Sequence, residues 1–203
     1  MMKMTYRGYD VLAKWDSPSF DDTTRMVLSQ RLGQPPPRRF FSPDEFERLE
    51  ALVDRLAPQD GRSPRAPLAN WIDALMLDAP GEGYRQPDMP PLPEAWRRAL
   101  SGFAAEARRR FACGFTALEG EQQDAVISAV QAGDVDRAAW ARLDPARFFV
   151  DHILKTVAGL AYAQPAAWSE IGFGGPASPR GYVRLGIGER DPWEAAAEAQ
   201  AQQ

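Results

Sequence analysis

The side chains that most often carry catalysis or bind metals are scarce in this chain. Its 203 residues include one cysteine, Cys113, and one histidine, His152. A disulfide within the chain, a zinc site built from Cys and His, and covalently attached haem all need more of these residues. Cys113 lies between Phe111 and Phe115, a setting that favours a small buried side chain over a reactive thiol. His152 follows Phe148-Phe-Val-Asp, which favours an imidazole in the core or at an interface.

Residues 171–181 contain four glycines, and successive glycine amides can bind a phosphate group. Their spacing matches neither G-x-G-x-x-G nor the lysine-containing P-loop, and Pro176 and Pro179 remove amide donors. The G-x-S-x-G and H-E-x-x-H motifs are also absent from the sequence. The 28 Asp and Glu residues could act as acids or bases, but their spacing places no two of them across a cleft. The sequence therefore contains no recognisable catalytic motif.

Charge and hydropathy exclude two classes of partner. The formal net charge of −4 provides no large positive field, which disfavours nucleic acid. No run of 18 apolar residues is present, so the sequence predicts no direct membrane span. The first ten residues include charges and no apolar export core, and the pair Arg38-Arg39 is followed by further charges at 44–48. We expect a cytoplasmic chain on this basis.

The strongest local signal is the start of a helix at Ser42. The hydroxyl of Ser42 can accept a hydrogen bond from the amide of Glu45 while the Glu45 carboxylate reaches back, with Pro43 at the first helical position. Apolar residues at helical spacing then continue as far as Pro58. The sequence predicts a helix over 43–57.

Helical spacing recurs along most of the chain, whereas Tyr182-Val-Arg-Leu alone shows a short alternation typical of a strand. We predict a mainly α fold: a single helical domain of about six helices with long ordered loops rich in proline and glycine. The further helices are expected from about Asp21 to Gly33, from Leu68 to before Pro80, through Trp96–Phe111, from Leu118 to Gly133, and from Pro145 to before Pro165.

Three long connections, at 58–67, 79–93 and 166–193, are the most informative loops. Long ordered loops in a compact domain usually carry function. Their large aromatic residues could contact a partner or could fix the loops to the chain's own core, and the sequence leaves both open. We divide the chain into an N-terminal arm with one helix (1–39) that could wrap a partner, a helical domain (40–193) and a flexible tail (194–203).

Four segments carry a resemblance to a known family. They are Phe40-Phe-Ser-Pro-Asp-Glu-Phe-Glu-Arg-Leu and its continuation to Pro58, Asn70-Trp-Ile-Asp with Gly83-Tyr-Arg, Phe148-Phe-Val-Asp through Thr156-Val-Ala-Gly, and Trp168-Ser-Glu-Ile-Gly-Phe-Gly-Gly-Pro through Gly186. From Phe40 to about Trp193, the chain resembles subunit 3 of gluconate 2-dehydrogenase. This subunit is the small subunit of flavin-dependent sugar and sugar-acid dehydrogenase complexes.

The resemblance implies a partner and a role. The partner would be a large FAD-containing subunit of the glucose-methanol-choline type, and a cytochrome c subunit could accept the electrons. The small subunit would contain no cofactor or metal, perform no catalysis, and assist the folding, stability or export of the large one. Export with a signal-bearing partner would make the complex periplasmic instead of cytoplasmic.

The expected partner-binding residues lie in the N-terminal arm and in the last long loop. They are Tyr6, Tyr9, Trp15, Phe20, Trp168, Glu170, Phe173, Gly174, Gly175, Pro176, Pro179, Arg180, Tyr182, Arg184 and Trp193. Two other functions remain open from the residues themselves. One is a stand-alone enzyme that uses carboxylates and His152 beside Asp151, and the other is a helical adaptor unrelated to redox chemistry.

Overall fold

The computed structural model describes residues 6, 8–62, 65–78, 89–176 and 195. No strand occurs among these residues, so the mainly α prediction is confirmed. None of the helices in this part of the chain is both long enough and apolar enough to cross a bilayer. The helices are α1 (Asp22–Leu32), α2 (Pro43–Leu56), α3 (Leu68–Asp78), α4 (Leu92–Phe111), α5 (Gly120–Ala132), α6 (Pro145–Phe148), α7 (Lys155–Tyr162) and α8 (Pro165–Ile171).

The N-terminus of α2 has the predicted capping box. The Ser42 hydroxyl accepts from the Glu45 amide at 3.3 Å, and the Ser42 amide donates to the Glu45 carboxylate at 2.9 Å. Both hydrogen bonds satisfy amides that the first turn of a helix leaves without partners. The helix ends at Leu56, one residue before the predicted end.

The last predicted helix differs from the expectation in two ways. A π-helical segment, Phe149–Leu154, connects α6 to α7. A further helix, α8, begins at Pro165, where we expected a loop from residue 166 onward. That expectation was wrong for 166–171 because we considered Pro165 only as a terminator. A proline also favours the first position of a new helix, where its missing amide hydrogen costs nothing.

The described residues separate into two compact units. We call the described residues within 35–160 the central unit, and the described residues within 1–34 and 161–203 the terminal unit. The central unit has a core rich in aromatic side chains. Phe103 of α4 contacts Trp140 edge-on at 5.6 Å between ring centroids, and Trp96 contacts Phe148 at 6.1 Å. Gly102 lets the Trp140 indole lie directly on the α4 backbone.

A buried carboxylate fixes the chain where it enters α2. Asp73 of α3 is fully buried, and its oxygens accept from the amides of Arg39, Phe40 and Phe41 at 2.7–3.1 Å. Asn70, one turn earlier, donates from its side chain to the Pro36 carbonyl at 3.0 Å. The segment Asn70-Trp-Ile-Asp, one of the four that carry the family resemblance, therefore has a structural role.

The arginines at the end of α4 neutralise a buried carboxylate. Glu106 is buried and forms ion pairs with Arg109 and Arg110, and Arg110 also binds Asp134 at 2.9 Å. Burial acts to raise the pKa of Glu106, but the hydrogen bonds from the two guanidinium groups outweigh it and the pKa is lowered. Much of the charge of this arginine run is therefore used within the central unit.

Ala112, the C-cap residue of α4, is a position where we predict a stabilising substitution. Ala112 has φ 56°, a left-handed conformation, and its amide donates to the Arg108 carbonyl at 2.9 Å. Glycine adopts this conformation without the steric cost that a Cβ atom imposes. We expect Ala112→Gly to raise the free energy of unfolding by about 0.5–1 kcal/mol, as measured in urea.

The matched control is Ala105→Gly, within the same helix. It should lower the free energy of unfolding by about 1 kcal/mol because glycine is unfavourable inside a helix. Equal losses from both substitutions would contradict the assigned conformation of Ala112.

In the terminal unit, α1 and a 3₁₀ turn at Val11–Lys14 pack with α8. The core of this unit contains Val11, Phe20, Leu28 and Trp168, with Tyr9, Leu12 and Trp15 packed against it. Residues from both ends of the sequence thus share one core. Our division at 39/40 did not anticipate this association, because sequence patterns show local structure and not which distant segments meet.

Candidate partner-binding site

The last of the four segments that carry the family resemblance begins at Trp168 and forms a helix end. Gly172, at φ 71°, follows α8, and its amide donates to the Ser169 carbonyl at 3.4 Å. The Phe173 amide donates to the Trp168 carbonyl at 2.9 Å, and the two rings meet edge-on with centroids 5.5 Å apart. This pair of hydrogen bonds with an apolar contact is a Schellman motif. It explains why tryptophan, glycine and phenylalanine occur at this spacing.

Three apolar side chains are exposed in this motif and at the end of α7, close in sequence to a buried tryptophan. Trp168 is buried, and its indole nitrogen donates to the Tyr162 carbonyl at 2.5 Å. The neighbouring side chains of Tyr162, Ile171 and Phe173 are 57%, 42% and 39% exposed. We call these three residues the apolar patch. Exposed apolar groups around a rigid aromatic centre suit contact with another protein.

The glycine-rich loop after α8 packs on the N-terminal segment. The Lys14 ammonium donates to the Gly174 carbonyl and lies 5.0 Å from the centroid of the Phe20 ring. Gly175 has φ 81°, and a Cβ atom there would lie 3.0 Å from the Phe20 ring. A Cβ atom on Gly172 would lie 2.6 Å from the Tyr6 ring. Close packing therefore requires glycine at both positions.

This geometry does not suit a phosphate group. Phosphate sites use the free amides at a helix N-terminus, where the helix dipole is positive. Here the glycines follow the C-terminus of α8, where the dipole is negative, and the Gly174 carbonyl binds the Lys14 ammonium. The described part of the loop, 172–176, consequently does not fit the pyrophosphate of FAD.

The structure divides the described candidate residues between the core of the terminal unit and its surface. Phe20 and Trp168 are buried in the core, as in the alternative that the sequence left open, and Tyr9 and Trp15 pack against it. Tyr6, Glu170 and Gly174 are half-buried, Gly175 is buried, and Phe173 and Pro176 are exposed. Five candidates lie outside the described residues: Pro179, Arg180, Tyr182, Arg184 and Trp193.

The N-terminal arm also folds on its own chain. The Val11 amide donates to the Ser169 hydroxyl at 3.1 Å, and that hydroxyl donates to the Pro165 carbonyl at 3.1 Å. The described residues Val11, Lys14 and Phe20 therefore contact α8 or the loop that follows it. That the arm could wrap a partner stays a prediction.

His152 and Asp151 have separate structural partners. The imidazole of His152 stacks on the Phe148 ring at 5.0 Å between centroids. Asp151 binds Lys155 at 2.8 Å and pairs with Arg147 at 3.6 Å. The hydrogen bond from Lys155 is the main cause of the lowered pKa of Asp151. The aspartate is thus engaged with two cations.

A cleft of about 410 Å³ in the central unit is lined in part by Glu50, an acid with a raised pKa that the sequence analysis did not single out. It is lined by Glu50, Asp54 and Arg65, among other residues of α2 and the loop that follows. Burial, together with the charges of Asp54 and Glu47, raises the pKa of Glu50. Asp54 pairs with Arg65 at 2.7 Å, and His152 is not among the lining residues. The cleft therefore does not combine carboxylates with the histidine, as the enzyme alternative requires.

Comparison with protein families identifies the chain. The model of the family described as gluconate 2-dehydrogenase subunit 3 matches residues 43–175, which is well over half of the sequence. The chain belongs to this family. Its resemblance to the family, inferred from the sequence, is confirmed. Neither the curated proteins nor the solved structures yield a significant match.

The limits of the subunit 3 family match coincide with structural features. The matched region begins at Pro43, the first residue of α2, and ends at Gly175, beyond the Schellman motif. It includes Ile171 and Phe173 but excludes Lys14 and the rest of the N-terminal arm. Lys14 is a residue that sequence reasoning missed, and the signal for it was weak: a single lysine between Ala13 and Trp15.

Proposed function

We propose that this chain is the non-catalytic small subunit of a flavin-dependent sugar or sugar-acid dehydrogenase complex. It binds and stabilises a large FAD-containing subunit of the glucose-methanol-choline type, and a cytochrome c subunit can accept the electrons. The observation that carries the proposal is the match to gluconate 2-dehydrogenase subunit 3 over residues 43–175. The family defines a subunit of a dehydrogenase complex, and the identity of the partner is our extension of it.

The apolar patch supports a role in assembly. Tyr162, Ile171 and Phe173 are exposed in the unit whose described core includes Trp168. Exposed apolar side chains cost free energy in water and gain it at an interface, at roughly 25 cal/mol for each Å² buried. The groups with reactive potential are few, and His152 and Asp151 already have structural partners. In this proposal the chain supports catalysis only by binding the partner that performs it.

The experiment is co-expression of this chain with its cognate flavoprotein subunit. We expect the two to co-purify, and the yield of FAD-loaded flavoprotein to exceed that obtained without this chain. The measurement is the ratio of flavin absorbance to protein after purification through a tag on the small subunit. Failure of the wild-type chain to co-purify would contradict the proposal.

A matched pair of variants tests the apolar patch. Ile171 and Leu77 are both 42% exposed, and each is at or next to the last residue of its helix. Ile171→Ser should weaken binding of the flavoprotein about tenfold or more, as expected for an interface anchor. Leu77→Ser, in α3, should leave the affinity within about twofold of wild type. Equal effects of the two variants would contradict a specific role for the patch.

A further inference from the structure

The family-specific end of α8 is held in place by residues outside the family match. Besides Tyr6, which packs on Gly172, three residues of the N-terminal segment contact it: Val11 donates to Ser169, Lys14 donates to Gly174, and Phe20 packs on Gly175. All three come from Asp10–Phe20, which precedes the matched residues 43–175. We define Asp10–Phe20 as the N-terminal clamp.

Lys14 is the residue of this clamp whose charged side chain binds the loop. Its side chain is buried, which is unusual for a lysine unless its ammonium group is well bound. The ammonium donates to the Gly174 carbonyl and faces the Phe20 ring, so it joins the loop and the clamp core at one point. A hydrogen bond from a charged donor is stronger than one between neutral groups.

We infer that the N-terminal clamp orders the loop 172–176 through Lys14 and thereby presents the apolar patch to the partner in a fixed orientation. In this inference Lys14 is a positioning residue, because its buried ammonium contacts the loop. A preordered loop loses less conformational entropy on binding, which raises affinity without adding a contact. The partner part of this inference depends on the proposed function, whereas the ordering of the loop does not.

The first test uses the full chain without a partner. Amide hydrogen exchange of a peptide covering residues 168–176 reports local opening of the loop. In Lys14→Met, which keeps a long apolar side chain but removes the donor, exchange should accelerate about tenfold or more, while peptides from α2 and α4 stay unchanged. Lys155→Met, at a lysine outside the clamp, is the matched control and should leave exchange of residues 168–176 at the wild-type rate.

Two further variants keep the test decisive. Lys14→Arg retains a charged donor and should keep loop exchange within about threefold of wild type. Should Lys14→Met unfold the chain by circular dichroism, Ser169→Ala removes the separate bond to Val11 and should accelerate exchange of the same peptide. Unchanged exchange in a folded Lys14→Met would overturn the clamp, and so would equal acceleration in Lys14→Met and Lys14→Arg. If Lys14→Met unfolds, unchanged exchange in Ser169→Ala would overturn it.

The second test measures affinity for the cognate flavoprotein subunit. Lys14→Met should weaken binding about tenfold, Lys14→Arg should restore it, and Lys155→Met should have no effect. If loop exchange accelerates while affinity stays unchanged, the link from clamp to partner is overturned and the proposed function stands. If the wild-type chain itself fails to bind, the proposed function fails, and the exchange comparison still decides whether the clamp orders the loop.

Discussion

Asp73→Ala should lower the free energy of unfolding by about 3–5 kcal/mol, the largest loss that we expect from any single polar residue. The fully buried carboxylate accepts from three consecutive backbone amides, those of Arg39, Phe40 and Phe41. Alanine leaves these donors without their acceptor, and the donors lose a charged hydrogen-bond partner. The measurement is urea unfolding of the full chain followed by circular dichroism.

Two further substitutions separate this effect from a general loss of charge. Asp73→Asn should cost less than Asp73→Ala because one amide oxygen can still accept, although its NH₂ group then faces backbone donors. Asp78→Ala removes an exposed carboxylate from the same helix and should change the free energy of unfolding by less than about 0.5 kcal/mol. Similar losses at Asp73 and Asp78 would contradict the anchoring role.

Gly102→Ala should have the second large effect on the free energy of unfolding. It should destabilise the chain, whereas the general rule for helices predicts that alanine stabilises it. Alanine normally stabilises a helix interior by about 1 kcal/mol relative to glycine. At Gly102, however, the added Cβ atom would lie 2.5 Å from Cε2 of Trp140, which is fully buried. We therefore expect the free energy of unfolding to fall by about 2–3 kcal/mol, because the indole or the α4 backbone must shift. Urea unfolding measures the loss, and tryptophan fluorescence should report the displaced indole.

Gly159→Ala supplies the matched control. Gly159 lies inside α7, is exposed, and has no atom within 4 Å of the position that a Cβ atom would occupy. Here the general rule should hold, and Gly159→Ala should raise the free energy of unfolding by about 0.5–1 kcal/mol. If both substitutions stabilise the chain, the contact between Trp140 and the α4 backbone is not as described.

Local structure was predictable from the sequence where short-range rules act alone. The capping box at Ser42 and Glu45 fixed the start of α2, and Asp144-Pro145 fixed the start of α6. Gly133 ends α5 at φ 73°, as its position after a helical pattern indicates. In each case the residues that decide the structure are within about four positions of one another.

Structure that depends on distant residues was not predictable from local patterns. In the sequence, Asp73 is indistinguishable from any other aspartate in a helix. Only the tertiary fold brings its carboxylate to the backbone amides of residues 39–41. Lys14 meets Gly174 across 160 positions of the sequence. The sequence indicated the family, whose match ends at Gly175, within the candidate stretch 168–186. It could not distinguish core from surface, so Phe20 and Trp168 were grouped with the exposed Phe173.

Our central proposal is that this chain acts by binding a flavoprotein and contributes no cofactor or catalysis of its own. Native mass spectrometry of the co-expressed complex, together with an absorbance spectrum and a sugar-oxidation assay of each separated subunit, tests it most directly. We expect a complex that contains both chains, with the flavin and all activity remaining in the large subunit after separation. Flavin or dehydrogenase activity that stays with the isolated 203-residue chain would contradict the claim.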